Sequence, residues 1–355
     1  MKKLLFVFLT LMMVLIFRSY NVSADDNAEN LKKVIYTVES NNGVNISPLD
    51  TYDMVDISGE KRFFVVTFMC DGNNGFAILD KEEDEVAIYA LNSSVEFVHE
   101  KPMMLVSLFD YVVIDEENDS AVSLVSGISY VFSDLSKELQ ERKDIDEQDN
   151  EEDNEFLIPD DYIEESSMEM NGTRSNIIVY GGNDTSLVYN AGSNSGSYST
   201  DCGINASAMY LRHMNNYFYY SYVSSTHSTE TLLKICLAEI SYNLYSATSD
   251  LTMSKVAAIT STYIDTYSGT YADEVSSYSY SWANYTYRIN GGSGKPCILR
   301  VPAGTTGYWT QAHAVLGVGY TYGATDSSGY LIVNSGWTNL GYVQIPTSVP
   351  NKMIA

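Results

Sequence analysis

Ala312-His313-Ala314-Val315-Leu316-Gly317-Val318-Gly319-Tyr320 alternates as a strand that enters a core, with its histidine at the exposed end. Beyond a short gap, Tyr330-Leu331-Ile332-Val333 reads as the next strand, and Asn334 ends it ahead of Ser335-Gly336-Trp337. A hairpin of this kind places His313 and Asn334 close together. The Asn amide oxygen could then accept from the ring and hold its tautomer, with Trp337 shielding the bond from water. Well upstream, Asp201-Cys202-Gly203 opens a helical run. A cysteine at a helix start, a histidine on one strand and an asparagine on the next are the parts of a thiol nucleophile, its base and the base's orienter.

The helix N-terminus is what would make Cys202 reactive. Its free N–H groups and partial positive charge favour a thiolate, and with an imidazolium nearby such sites lower a thiol pKa from ~8.5 to ~3.5–7.5. Gly203 lets the backbone turn closely, and the Cys202 N–H could face a developing oxyanion. Asp201 would oppose a thiolate unless its carboxylate caps or points away. His213 reads as a helix-face residue, His227 as a loop residue, and His99 stands alone. Cys236 and Cys297 sit in apolar runs and read as buried thiols, and Cys70 as a small core residue. No His-Glu-x-x-His, paired Cys-x-x-Cys or phosphate loop occurs, so neither a metal nor a nucleotide cofactor is expected.

The chain starts with Lys2 and Lys3, an apolar run from Leu4 to Phe17, and Val22-Ser23-Ala24. This is the pattern of a secretory signal over 1–24, cleaved after Ala24, which makes the expected product secreted and free of the membrane. The formal net charge of −26 is unevenly spread: residues 1–170 hold 37 acidic and 12 basic side chains, residues 171–355 only 9 and 8. Such a chain repels nucleic acid and anionic membranes, so neither is an expected partner. The densest acidic stretch makes 137–172 an expected extended linker, open to proteases. Before it, 25–136 reads as a strand-rich domain with strands at Phe63–Phe68, Phe76–Asp80 and Glu85–Ala90, and a helix or buried strand over Met103–Val113. After it, 173–355 is rich in Tyr, Ser, Thr, Asn and Gly, with 22 of the 29 tyrosines falling beyond Ser175. Helices are expected at about 202–220, 228–247 and 252–267, then strands at Tyr285–Ile289, Pro296–Val301, His313–Tyr320, Tyr330–Asn334 and Gly341–Ile345. A helical half followed by a strand half is an α+β pattern.

The Cys202-Gly203 helix, His313-Ala314-Val315 with Gly317, Gly319 and Tyr320, and Ile332-Val333-Asn334-Ser335-Gly336-Trp337 with Gly341-Tyr342 resemble the active-site segments of papain-like cysteine peptidases. Asp201-Cys202-Gly203 with Ala206, Ala208 and Met209 is similar to the bacterial branch that includes the double-glycine leader peptidases and their secreted relatives. Phe63–Ala90 is more loosely similar to the strand-rich propeptide of streptopain-like peptidases. The resemblance implies a helical lobe against an antiparallel sheet lobe, with Cys202 as nucleophile, His313 as base and Asn334 as orienter. It also implies a secreted zymogen that acts on peptide or protein substrates, its N-terminal domain serving as intramolecular propeptide. A Gln commonly found six residues before the cysteine is here Gly196, and no Gln occurs between Ser175 and Cys202. Asn194 or Asn190 is the candidate oxyanion donor in its place, and loss of one such donor typically costs ~10²–10³ in rate. Two other readings stay open. One is an amidase or endopeptidase acting on cell-wall peptide, and the other is a non-catalytic surface-binding protein on a peptidase scaffold.

Overall fold

The computed structural model describes residues 26–142, 202–218, 221–249, 251–268, 275–291, 294–302, 312–321, 323–325 and 327–355, with the backbone of three short strands between 177 and 199. Residues 1–25, which hold the expected signal, and nearly all of the acidic stretch lie outside the described residues. Among the described residues, no helix is long and apolar enough to cross a membrane.

The fold is mixed α+β, and its sheets are antiparallel. After a helix over 26–42 (α1) come β1 (Ser47–Met54), β2 (Phe63–Cys70), β3 (Asn73–Asp80) and β4 (Glu85–Ala90). A second group follows: β5 (Met103–Ser107), β6 (Asp110–Asp115), β7 (Ser120–Ser123), β8 (Ser129–Val131) and α2 (Phe132–Arg142). The remainder contains β9 (Ile177–Ile178), β10 (Asn194–Ser195), β11 (Tyr198–Ser199), α3 (Cys202–Tyr217), α4 (Glu230–Tyr245), α5 (Met253–Tyr263), β12 (Ser277–Ser279) and α6 (Trp282–Thr286). It closes with β13 (Cys297–Val301), β14 (His313–Tyr320), β15 (Tyr330–Asn334), β16 (Tyr342–Pro346) and β17 (Lys352–Ile354).

The large sheet runs β1-β2-β3-β4-β16-β15-β14-β13-β17-β12, with β9 added beside β14. Strand β4 meets β16 where Tyr89 lies opposite Gln344. The N-terminal strands and the C-terminal strands therefore share one sheet, although the sequence suggests two separately folded domains. Period-two alternation explains the layers. Phe63, Val65, Phe76, Ile78 and Ile88 face a main core shared with α3, α4, α5 and β13–β16. Phe64, Val66, Phe68, Ala77 and Leu79 face the opposite way and pack under Val34 and Val38 of α1. The smaller sheet, β5-β6-β7-β8, is covered on one side by Leu135 and Leu139 of α2.

The expected strands at Phe63–Phe68, Phe76–Asp80, Glu85–Ala90, His313–Tyr320 and Tyr330–Asn334 are present. The ambiguous run Met103–Val113 is a hairpin, β5 and most of β6. Helix α2 occupies 137–142, the first part of the stretch read as linker. Tyr285–Ile289, read as a strand, is instead the end of α6 and a π-helical turn over Tyr287–Gly291. Its aromatic and β-branched residues suit a strand, but tertiary packing decides otherwise. Tyr285 is fully buried, and its hydroxyl donates to Gly319 O at 2.7 Å and accepts from Gly319 N at 3.2 Å.

Candidate functional site

Cys202 is the first residue of α3 and is half-buried. The helix forms here because Ile204, Ala208 and Leu211 recur at i, i+4 and i+7 and all go into the main core, together with Ala206 and Met209. The first N–H groups of any helix lack intrahelical acceptors, so the Cys202 end of α3 carries donors and partial positive charge. Ser207 Oγ, which donates to Gly203 O and accepts from Thr260 Oγ1 of α5 (both 2.9 Å), fixes this first turn against its neighbour.

His313 begins β14, opposite Val301 of β13. Its Nε2 lies 2.8 Å from the Ser335 carbonyl oxygen. A carbonyl can only accept, so Nε2 carries the proton and Nδ1 is left as the basic nitrogen. Burial pushes the ring's pKa down to about 4, only partly opposed by the hydrogen bond to Ser335. The residue keeps a partly open edge. His313 is therefore neutral at pH 7.

Asn334 is not where the sequence reading puts it. The residue ends β15, as expected, but it pairs with Leu316 rather than His313. Its Oδ1 accepts from Gly336 N at 2.9 Å, and its Nδ2 is buried without a hydrogen-bond partner. The acceptor on the ring is the main-chain carbonyl of the next residue. Gly336 turns the chain there at φ +81, a conformation that glycine reaches without strain. Trp337 N bonds Ser335 Oγ at 3.2 Å, and Gly341 N closes back on Trp337 O at 3.0 Å.

The helix and the turn meet through Asn205. This residue is 1 % exposed, one turn into α3, and its Nδ2 lies 3.5 Å from Gly336 O. Cys202 is three residues earlier, about 4.5 Å along the helix axis. The thiol end of α3 and the turn that holds His313 are thus neighbours.

The N-terminal half reaches the same place. Leu108 and Phe109 form the tip between β5 and β6, each 1 % exposed, and the Phe109 ring lies 5.0 Å from the His313 ring. From the other side, Asn339 O accepts from Ser93 Oγ at 2.9 Å and Ser94 N at 3.0 Å, while Asn339 Nδ2 donates to Val125 O at 2.8 Å.

The expected oxyanion donor Asn194 lies in β10, in the short β10–β11 hairpin just before α3, and its side chain is outside the described residues. Asn190, Gly196 and Asp201 also lie outside them. Cys70, Cys236 and Cys297 are buried, form no disulfide, and have pKa values raised by burial, to about 12 for Cys297. His213 is buried within α3, and His227 packs beside Tyr263 and Tyr267. Among the described residues, no group of His, Cys, Asp and Glu could hold a metal ion.

Sequence reasoning missed three participants. The Ser335 carbonyl is main chain and carries no signal. Phe109 sits within an apolar run and looks like any core residue. Asn205 was legible in principle, as a lone amide on the apolar face of α3. No family model, no curated protein and no solved structure matches this chain.

Proposed function

We propose that the chain is a cysteine peptidase of the papain-like type, made as a secreted zymogen, with Cys202 as nucleophile and His313 as base. The reading rests chiefly on one contact, Asn205 Nδ2 to Gly336 O, which puts the thiol-bearing end of α3 beside the turn that holds the imidazole. Nδ1 of His313 would take the Cys202 proton, and the thiolate would attack a peptide carbonyl. The tetrahedral oxyanion would face the N–H groups and partial positive charge at the start of α3. The protonated imidazole would then give its proton to the leaving amine, and water would release the acyl group by the reverse sequence. Ser335 O, rather than Asn334, would orient the ring. Phe109 supports latency, because packing its ring against the imidazole keeps away water that would solvate the imidazolium a thiolate pair requires.

An epoxide-type cysteine-peptidase inhibitor, followed by mass mapping, tests the proposal. Phe109→Ala protein should be labelled at Cys202 and not at Cys236 or Cys297, and full-length wild type more slowly. Peptide hydrolysis should disappear in Cys202→Ala and His313→Ala, and persist in Cys236→Ala and Cys297→Ala. Turnover retained in Cys202→Ala would end the proposal. An unreactive Cys202 in both wild type and Phe109→Ala would favour a non-catalytic scaffold instead.

A further inference from the structure

Gly336 is gripped from two sides by buried amides. Asn334 Oδ1 takes its N–H at 2.9 Å, and Asn205 Nδ2 lies 3.5 Å from its carbonyl oxygen. The fit is close: a Cβ on Gly336 would fall 2.3 Å from Asn205 Nδ2 and 3.5 Å from Met209 Cε. Asn205 Oδ1 and Asn334 Nδ2 are both buried without hydrogen-bond partners. An alanine or leucine at 205 would orphan no acceptor among Ile204, Ala206, Ala208 and Met209. What the amide supplies, and they cannot, is a donor aimed at Gly336. The carbonyl next in line, that of Ser335, is the one that fixes the His313 tautomer.

We propose that Asn205 is a positioning residue for His313. Through Gly336 it sets the height of the Ser335 carbonyl above the ring, so that the helix carrying Cys202 also dictates which imidazole nitrogen is left basic. It touches neither substrate nor the reacting atoms. The inference rests on the peptidase reading for its significance but not for its measurement.

The nitrogen-15 shifts of the His313 ring, read between pH 5 and pH 8 in full-length protein, report the tautomer directly. The chain has four histidines, which makes selective labelling practical. Wild type should show Nε2 protonated and Nδ1 bare. Asn205→Ala should weaken that preference by about fivefold, the equilibrium equivalent of one net hydrogen bond. Asn205→Asp provides the sharper readout and covers the case in which the alanine variant does not fold. A protonated carboxyl can donate to Gly336 O and an ionised one cannot. The variant should keep the wild-type tautomer at the acid end and lose it as the carboxyl ionises, a pH dependence that simple space-filling would not produce. An unchanged tautomer in folded Asn205→Ala, or in Asn205→Asp across the whole range, would overturn the assignment. Failure of Cys202 to react with the epoxide would count against the peptidase reading alone, since the tautomer is measured without turnover.

Discussion

At the scale of single residues, His313 shows how surroundings choose a protonation state. Its carbonyl partner raises the pKa and its burial lowers it, and burial wins, leaving a neutral ring with a pKa of about 4. Phe109 is one of the groups that exclude water from it. Phe109→Ala should therefore raise the His313 pKa towards its ordinary value of about 6.5, measurable by proton NMR titration of the ring. A midpoint that stays near 4 would mean that other groups desolvate the ring. Asn334→Ala should disturb the His313 tautomer only through Gly336, whose N–H its amide oxygen accepts, and not by loss of a direct bond to the imidazole.

At the scale of elements, the β5–β6 hairpin carries Asp110 and packs Phe109 against His313 of β14, and the two titratable groups, Asp110 and His313, act with opposite sign. Asp110, next to Phe109, has its pKa raised to about 6 by burial, although Ser123 Oγ donates to it at 2.5 Å. A carboxyl whose folded pKa lies above its unfolded value stabilises the fold in its neutral form. That contribution is present below about pH 4 and is lost as the pH rises through 6. His313 acts the other way, since its depressed pKa favours folding above about pH 6.5 and penalises it as the pH falls towards 4. The two slopes oppose each other over the same window. Asp110→Asn removes one of them and should stabilise the protein at pH 7 by on the order of 1–2 kcal/mol, allowing for Asp110's partly open edge. Denaturant unfolding at several pH values checks this, with the difference expected to vanish near pH 4. Strand β14 is constrained differently. A Cβ on Gly317 would lie 2.8 Å from Leu299 Cδ1 and 2.9 Å from Tyr285 Cε2. Gly317→Ala should cost roughly 1–3 kcal/mol by overpacking, and a thermal midpoint equal to wild type would show that Tyr285 can move aside.

At the scale of the whole molecule, the N-terminal half is joined to the rest by more than a tether. Strand β4 lies against β16, Tyr330 Oη donates to Val86 O at 2.9 Å, and the main core draws residues from both halves. Cutting the acidic stretch between 143 and 174 should therefore leave two pieces that migrate together in gel filtration and separate only in denaturant. Separation without denaturant would show that the shared sheet is weaker than its core implies. If the pieces stay together, activation of the proposed zymogen would require the hairpin tip to leave His313 as well as the chain to be cut.

The amino-acid sequence by itself determined the elements whose signals are local. Alternation placed β2, β3, β4, β14 and β15, apolar spacing placed α3 to α5, and the residue types marked Cys202 and His313. These features depend on neighbours a few positions away, where period and composition speak directly. Tertiary structure alone decided that Tyr89 meets Gln344, that Phe109 covers His313, and that Tyr285 lies in a helix spanning the Gly319 peptide groups rather than in a strand. Asn334 makes the same point most sharply. Its position at the end of β15 was legible, but its partner was not, because the turn at Gly336 presents the Ser335 carbonyl to the ring and turns the Asn334 amide inward. Which of two adjacent polar groups reaches a histidine depends on backbone rotation at a single glycine, Gly336, at φ +81, against which Asn205 and Met209 pack closely from a distant helix.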